Sequence, residues 1–484
     1  MLLPFGSLAG DEYALEMMRA YWLAGTHRQA VGVAAYFRKS PFQGSYAICL
    51  GTNQVAEYLA AFAFTEADLA YVATLGFEDG FVEHLRGLRF TGSLWVVEEG
   101  SLVFPNEPLV LLQGALEELT FFEARILNIL NPQTLIGTKA ARVVWAAGGD
   151  PVLEMGLRRA HGYDAGLWHS RACYIAGVEA TSNLEAGRQF GIPVRGTMAH
   201  ALVMMAQSEL DGFRLWANAQ LKLGRDPVFL VDTYDVLRSG VPHAIRVCQE
   251  LGCALGGIRI DSGDLAYLAR ESRRLLDEAG FTGARIIASG DLDEYLIRDL
   301  RGPEQNAPID LWGVGTQMIV AADQPSLGGV YKIIAVQEGQ TWAPRIKLSE
   351  NPAKITTPGL HRTLRFRERE SGKFLADLLL GWDEPAPTGE FETFHPEHPW
   401  KRKRLQGFVT EEMLLPLIRD GHPLRDLSDW VAATARAKER CQAQLQALWP
   451  EYRRLTNPEP FPVNLSRPLW ELKQRMIQAG RPTQ

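Results

Sequence analysis

No stretch of this chain stays apolar for the roughly 20 residues that a bilayer-spanning helix needs. The opening run Met1-Leu2-Leu3-Pro4-Phe5-Gly6 has no basic cluster ahead of a long apolar segment, so no secretory signal is expected. Cysteine is scarce: Cys49, Cys173, Cys248, Cys253 and Cys441 are odd in number and scattered, with no metal-ligand spacing. That excludes a disulfide framework and points to reduced thiols in a cytoplasmic protein. Neither charge sign dominates, with 50 Lys and Arg against 57 Asp and Glu and a net charge of -7. A general nucleic-acid or anionic-membrane surface is therefore not expected. Fixed-period repeats and low-complexity tracts are also missing. What remains is ordinary globular composition, 46% hydrophobic and 22% charged over 484 residues, enough for two or three domains.

Against that plain background one pattern recurs. Short apolar runs end in small or polar residues at roughly helix-plus-strand spacing. Phe190-Gly191-Ile192-Pro193-Val194 leads to Gly196-Thr197-Met198-Ala199-His200. Val228-Phe229-Leu230-Val231 ends in Asp232-Thr233-Tyr234-Asp235, and Gly257-Ile258-Arg259-Ile260 in Asp261-Ser262-Gly263-Asp264. Arg285-Ile286-Ile287-Ala288 ends in Ser289-Gly290-Asp291, and Leu311-Trp312-Gly313-Val314 in Gly315-Thr316. Between them Leu265, Leu268, Ala269, Leu275, Leu276 and Ala279 repeat at helical spacing, with Gly280 as a stop and Asp264 and Asp291 at cap positions. Alternating strands and helices predict a parallel sheet. Polar strand exits favour an irregular TIM-like α/β barrel with chemistry at its C-terminal face. A doubly wound open sheet would also bind its ligand at the strand ends. The expected organisation is an N-terminal α/β domain over 1–131, the barrel over 132–337, and a C-terminal region over 338–484. That last region is mostly helical from Val409 onward.

Three successive small-residue turns, Ser262-Gly263-Asp264, Ser289-Gly290-Asp291 and Gly313-Val314-Gly315-Thr316, read as a phosphate cradle, since glycine lets backbone N–H groups approach a ligand closely. Any one of them would serve equally as a tight connection. Arg259 and Asp261 stand two apart on a strand and so share a face, where a guanidinium can grip a carboxylate or phosphate. Arg158, Arg159 and Arg38-Lys39 are further candidate anion clamps, although each also suits a solvated turn. Lys347 and Lys354 read as solvent-facing. Asp232, Asp235, Asp261, Asp264 and Asp291 would repel one another without a cation, which points to magnesium unless several are helix caps.

With these residues laid out, the chain resembles the nicotinate phosphoribosyltransferases almost end to end. The resemblance is carried by Asp11-Glu12-Tyr13, Phe37-Arg38-Lys39-Ser40-Pro41-Phe42, Phe104-Pro105-Asn106-Glu107-Pro108, Gly156-Leu157-Arg158-Arg159-Ala160, Ala180-Thr181-Ser182-Asn183, Gly196-Thr197-Met198-Ala199-His200, Arg259-Ile260-Asp261-Ser262-Gly263-Asp264 and Gly313-Val314-Gly315-Thr316. It implies an α/β barrel beside an α/β domain built from both chain ends, and a homodimer with shared active sites. The implied reaction joins nicotinate to phosphoribosyl pyrophosphate, giving nicotinate mononucleotide and pyrophosphate in NAD biosynthesis, coupled to ATP hydrolysis and assisted by Mg2+. By motif, His200 is the phosphorylated histidine. Tyr13, Arg158, Thr197, Ser182 and Arg259 face the substrate, Tyr13 from across the subunit interface. Arg38, Ser262, Gly263, Ser289, Gly290, Gly315 and Thr316 hold phosphate, and Asp232 and Asp261 face the ribose or its magnesium. Ser182 stands where related nicotinamide enzymes carry an aspartate, so the acid is the expected substrate, because a carboxylate there would repel it. Glu12, Glu16, Ser45 and Ala201 depart from the usual family pattern.

Three rival readings remain. One is a nicotinamide or quinolinate enzyme. Another is a sugar-phosphate lyase, against which no lysine ends a barrel strand. The third is a non-catalytic phosphoribosyl-binding regulator.

Overall fold

A computed structural model describes residues 6–398 and 400–480. The chain divides into two compact units, one formed by residues 1–135 with 326–484 and the other by 136–325. Among the described residues no helix is long and apolar enough to cross a membrane. All five cysteines are free.

The 136–325 unit is built on a six-stranded parallel sheet. In chain order its strands are β1 (Val152–Glu154), β2 (Ala180–Thr181), β3 (Val228–Leu230), β4 (Gly257–Ile260), β5 (Arg285–Ala288) and β6 (Leu311–Val314). Their order across the sheet is β2-β1-β6-β5-β4-β3. The first strand therefore lies beside the last, with Trp312 opposite Val152, which is ring order interrupted at one seam. The expected closed barrel is not formed: β2 and β3 are both edges. The apolar run before Gly196, expected as a further strand, makes only a single parallel bridge, Thr181 to Val194. Pro193 has no N–H to give a ladder, and the run follows directly on the helix Leu184–Phe190, which Gly191 ends in the left-handed region.

Side-chain alternation then sorts the sheet. Leu153, Ala180, Ile287 and Leu311 form an apolar cluster against which Val228 and Met155 pack. Two residues further along the same strands, the same face carries Ser182, Ser289 and Gly313 beside Met155. Helix Leu265–Glu278 starts where Asp264 accepts a hydrogen bond from the Tyr267 amide at 3.0 Å. Asp291, expected as a cap, is not one. Asp293 caps the helix Glu294–Arg301, accepting from the Tyr295 and Leu296 amides at 3.0 and 2.7 Å. Asp291 instead adopts a left-handed conformation with φ 47° in the preceding turn.

The other unit draws on both of its chain segments. In its seven-stranded sheet, strand Ala30–Phe37 lies between Gly329–Glu338 and Val110–Ala115, antiparallel to both. A six-stranded sheet pairs His361–Glu368 with Phe374–Gly381, setting Arg365 opposite Asp377. The stretch from Val409 opens with strands Phe408–Glu412 and Leu414–Arg419 rather than helix. The former completes a ladder along His361–Glu368, and that long-range pairing overrides local preference. Helix Trp430–Ala447 follows, begun by Asp429.

Candidate active site

At the C-terminal tips of the parallel strands lies a cavity of about 680 Å³. Arg158, Ser182, Thr197, Arg259, Asp261, Ser289, Gly290, Gly315 and Thr316 all line it, together with Arg159, Asp291 and Gly313. These residues come from five of the six strand exits and the loop before His200, and strand parity explains why they meet.

Arg259 organises the floor. Its Nε donates to Ser289 Oγ at 2.8 Å, its Nη1 to Thr197 Oγ1 at 3.2 Å, and its Nη2 to Asp261 Oδ1 at 2.8 Å. Ser289 Oγ also donates to Asp261 Oδ1. A guanidinium carries five N–H donors, so two remain uncommitted beside the cavity. With its side chain 14% exposed, Arg259 is largely desolvated yet still reachable by a ligand. Arg158 and Arg159 project from the short turn Leu157–Arg159 and are exposed.

The turns allow close approach. Gly290 has φ +92°, and a Cβ there would fall 2.1 Å from the Asp261 carbonyl oxygen. A side chain at Gly313 would meet Met155 Sδ at 3.0 Å and Ser289 Cβ at 3.3 Å. Glycine at these two positions keeps the pocket floor open.

His200, Asp232, Ser262 and Gly263 form a neighbouring group outside the cavity lining. His200 is the first residue of the helix His200–Met205. Its Nδ1 shares a hydrogen bond with Thr233 Oγ1 at 3.2 Å, and its Nε2 lies 3.8 Å from Asp232 Oδ1. The Asp232 carboxylate is almost fully buried. Its Oδ2 accepts from Ser262 Oγ at 2.6 Å, while its Oδ1 makes no hydrogen bond among the described residues. Gly263 sits in the left-handed region in the turn that follows. Tyr13 and Arg38 belong to the other unit. Tyr13 is half-exposed on the helix Glu12–Leu23, its phenol raised above the usual range by partial burial and then by Glu123 and Asp11. The Arg38 guanidinium lies 6.0 Å from the Tyr36 ring centroid.

The sequence reading passed over Glu154. This fully buried carboxylate accepts from Ser170 Oγ at 2.9 Å, Thr181 Oγ1 at 2.5 Å and the Gly156 amide. Asn183 caps the following helix and reaches Ser170 Oγ at 3.3 Å. Ser182 stands between these fixed neighbours, its amide donating to the Glu154 carbonyl at 2.9 Å. The available signal was an acidic residue ending the short apolar run Val152-Leu153, the same signature that marked the other strands. His169 was also unremarked. Its Nδ1 donates to the Ile319 carbonyl at 2.9 Å, tying down the short helix Thr316–Ile319, and burial pushes its imidazole down to about 4.

The architecture is a mixed α/β fold shared with a solved phosphoribosyltransferase. The chain superposes on the crystal structure of human nicotinic acid phosphoribosyltransferase with a TM-score of 0.82 and 29% identity, covering 96% of this chain and 99% of the other. It shares a fold with a nicotinate-nucleotide pyrophosphorylase from Pyrococcus furiosus, at a TM-score of 0.70 and 20% identity over 91% and 95% of the two chains.

Family models narrow the class. The nicotinate phosphoribosyltransferase N-terminal domain matches residues 8–131, and the C-terminal domain of the same family matches 360–473. A nicotinate phosphoribosyltransferase of Bacillus subtilis is 43% identical over 97% of this chain and 95% of its own length. One from Arabidopsis thaliana is 33% identical over 96% and 93%. The chain belongs to the nicotinate phosphoribosyltransferase family.

Proposed function

We propose that this enzyme joins nicotinate and 5-phosphoribosyl 1-pyrophosphate to give nicotinate mononucleotide and pyrophosphate, a step of NAD biosynthesis, with ATP hydrolysis coupled to it. The observation that carries the reading is the half-buried Arg259, with two free donors beside a polar cavity, in a chain of this family.

Nicotinate is flat and anionic. Arg259 grips its carboxylate, with Thr197 beside it and Arg158 adding positive potential at the mouth. The Ser182 hydroxyl tolerates that carboxylate, where an acidic side chain would repel it. The pyridine nitrogen is unprotonated at neutral pH and needs no base. As the C1–oxygen bond to pyrophosphate breaks, positive charge grows on the ribose, and Asp261 and Asp232 stabilise it. The turns at Ser289-Gly290 and Gly315-Thr316 hold the 5-phosphate, and Ser262-Gly263 and Arg38 serve the remaining phosphates. Carboxylate oxygens suit magnesium, and the Asp232 Oδ1 without a hydrogen bond is a fitting ligand, with Asp261 as a second. Bound there with pyrophosphate, magnesium would offset the charge of the leaving group.

His200 takes the γ-phosphoryl group of ATP: a ring nitrogen bonds to phosphorus, the bridging oxygen departs with ADP, and water later releases phosphate. Asp232 supports the charge on the ring. The functional unit is a homodimer in which Tyr13 of the second copy stacks on nicotinate.

One assay tests the scheme. Purified protein receives nicotinate, phosphoribosyl pyrophosphate and magnesium, with and without ATP, and mononucleotide and phosphate are followed. Nicotinate is expected to be strongly preferred. Equal use of nicotinamide, or release of carbon dioxide from quinolinate, would defeat the assignment. His200→Ala should keep basal mononucleotide synthesis while losing ATP hydrolysis and its stimulation. Undiminished ATP hydrolysis in that variant would remove His200 from its role.

A further inference from the structure

His27, His84 and Glu117 converge far along the chain from one another in the unit formed by 1–135 and 326–484. One ligand atom of each lies within 4.8 Å of the others. His27 sits in the loop between helix Glu12–Leu23 and strand Ala30–Phe37, His84 in the last turn of helix Asp79–Arg86, and Glu117 in the first turn of helix Leu116–Phe121. Three separate elements thus hold the set. The loop is fastened to the third of them, since the Glu117 amide donates to the His27 carbonyl at 3.2 Å and the Leu116 amide to the Gln29 carbonyl at 2.8 Å.

Hydrogen bonding inside the cluster is incomplete. His84 Nε2 and Glu117 Oε2 are 2.7 Å apart. The Glu117 side chain is 0% exposed, yet its Oε1 makes no hydrogen bond; the nearest cation is Arg28 Nε at 3.4 Å, on a side chain that is 60% exposed. His27 Nδ1 is likewise shut off from solvent with no hydrogen-bond partner. A buried carboxylate oxygen that meets only an exposed arginine, and a buried imidazole nitrogen with no hydrogen-bond partner among the described residues, are costly to leave so. The two rings stand edge to face, 5.0 Å apart at an 82° interplanar angle, so their nitrogens can address one point from different directions.

We infer that His27, His84 and Glu117 form a binding site for a single divalent transition-metal ion of the zinc type. Two imidazoles and a carboxylate are a common donor set for such ions, and bonds near 2 Å place ligand atoms roughly 3.3 Å apart, so the 2.7 Å His84–Glu117 pair would open slightly and atoms as far apart as 4.8 Å would close in. The histidines are only partly buried, which leaves room for water as the fourth ligand. Arg28, free to swing into solvent, would release Glu117 to the metal. The site is separate from the magnesium assigned to the reaction, and its role is to pin the loop before strand Ala30–Phe37 against two helices.

The test uses the full chain, without an affinity tag and stripped by chelator, titrated with zinc chloride by calorimetry and followed by thermal unfolding. One equivalent should bind and raise the melting temperature. His27→Gln and His84→Gln, made separately, should each weaken binding at least about tenfold. The pair His395→Gln with His398→Gln, which alters the other close histidine couple, stacked at 4.6 Å, should leave it unchanged. No saturable zinc binding, binding undiminished in both single variants, or loss that follows His395 and His398 instead would overturn the site.

Discussion

Two Arg–Asp pairs share one chemistry and sit in opposite settings. In the unit with both termini, Arg365 and Asp377 face each other across adjacent strands, and both side chains are 0% exposed. Four of the five N–H donors of the Arg365 guanidinium are engaged. Asp377 accepts at 3.0 and 2.6 Å, Gln444 Oε1 at 2.9 Å and the Leu102 carbonyl at 2.8 Å, and the Phe374 ring lies 4.5 Å away. In the parallel-sheet unit, Arg259 lies on a strand and Asp261 just past its end, both partly exposed, with donors left over beside a cavity. A nearly saturated pair deep in a core, with no cavity beside it to reach, is structural. A pair with spare capacity at a cavity is available to a ligand. Burial and leftover donors separate the two, and residue type does not.

The comparison can be broken in several ways. The largest effect is expected from Arg365→Ala, which strands Asp377 in the core and should cost about 3–5 kcal/mol in denaturant unfolding. Turnover per folded molecule should hold. Loss of turnover at unchanged stability would mean that Arg365 is more than a structural residue. Arg259→Ala should do the reverse: kcat/KM for nicotinate falls by about 10²–10³ while the melting temperature barely moves. Arg259→Lys should rescue little, because a point charge cannot reproduce three directed contacts.

A smaller effect treats both units alike. His361, on the same strand as Arg365, donates from Nδ1 to the Gly359 carbonyl at 2.8 Å, and burial pushes it down to about 4, as it does His169 in the other unit. Their stabilising contribution is complete above the unfolded value of about 6.5 and is lost as pH falls toward 4, where the unfolded chain holds the extra protons. At pH 5 each should cost about 2 kcal/mol relative to pH 7 in urea unfolding. His169→Gln and His361→Gln should each flatten that slope, and an unaltered slope in both would refute the assignment.

Much of the parallel sheet was legible because its signals are local. Apolar runs ending in Asp261, Ser289 or Gly315 announce strand tips, and the spacing of two between Arg259 and Asp261 announces a shared face. The seam between β2 and β3 was not legible, because edge status depends on which strand finds a partner. The capping role of Asp293 rather than Asp291 turned on two residues of loop geometry. Glu154 escaped notice because a lone carboxylate means little until Ser170, Thr181 and Gly156 are seen around it. His27, His84 and Glu117 have no spacing to read at all.

Sequence alone determined the family, the alternation of strands and helices, and the residue types at each strand exit, since these follow from periodicity and ordered motifs along the chain. Only tertiary structure decided which polar groups are satisfied and which keep a donor or acceptor to spare. That property depends on neighbours brought together from distant positions, and on the water they exclude.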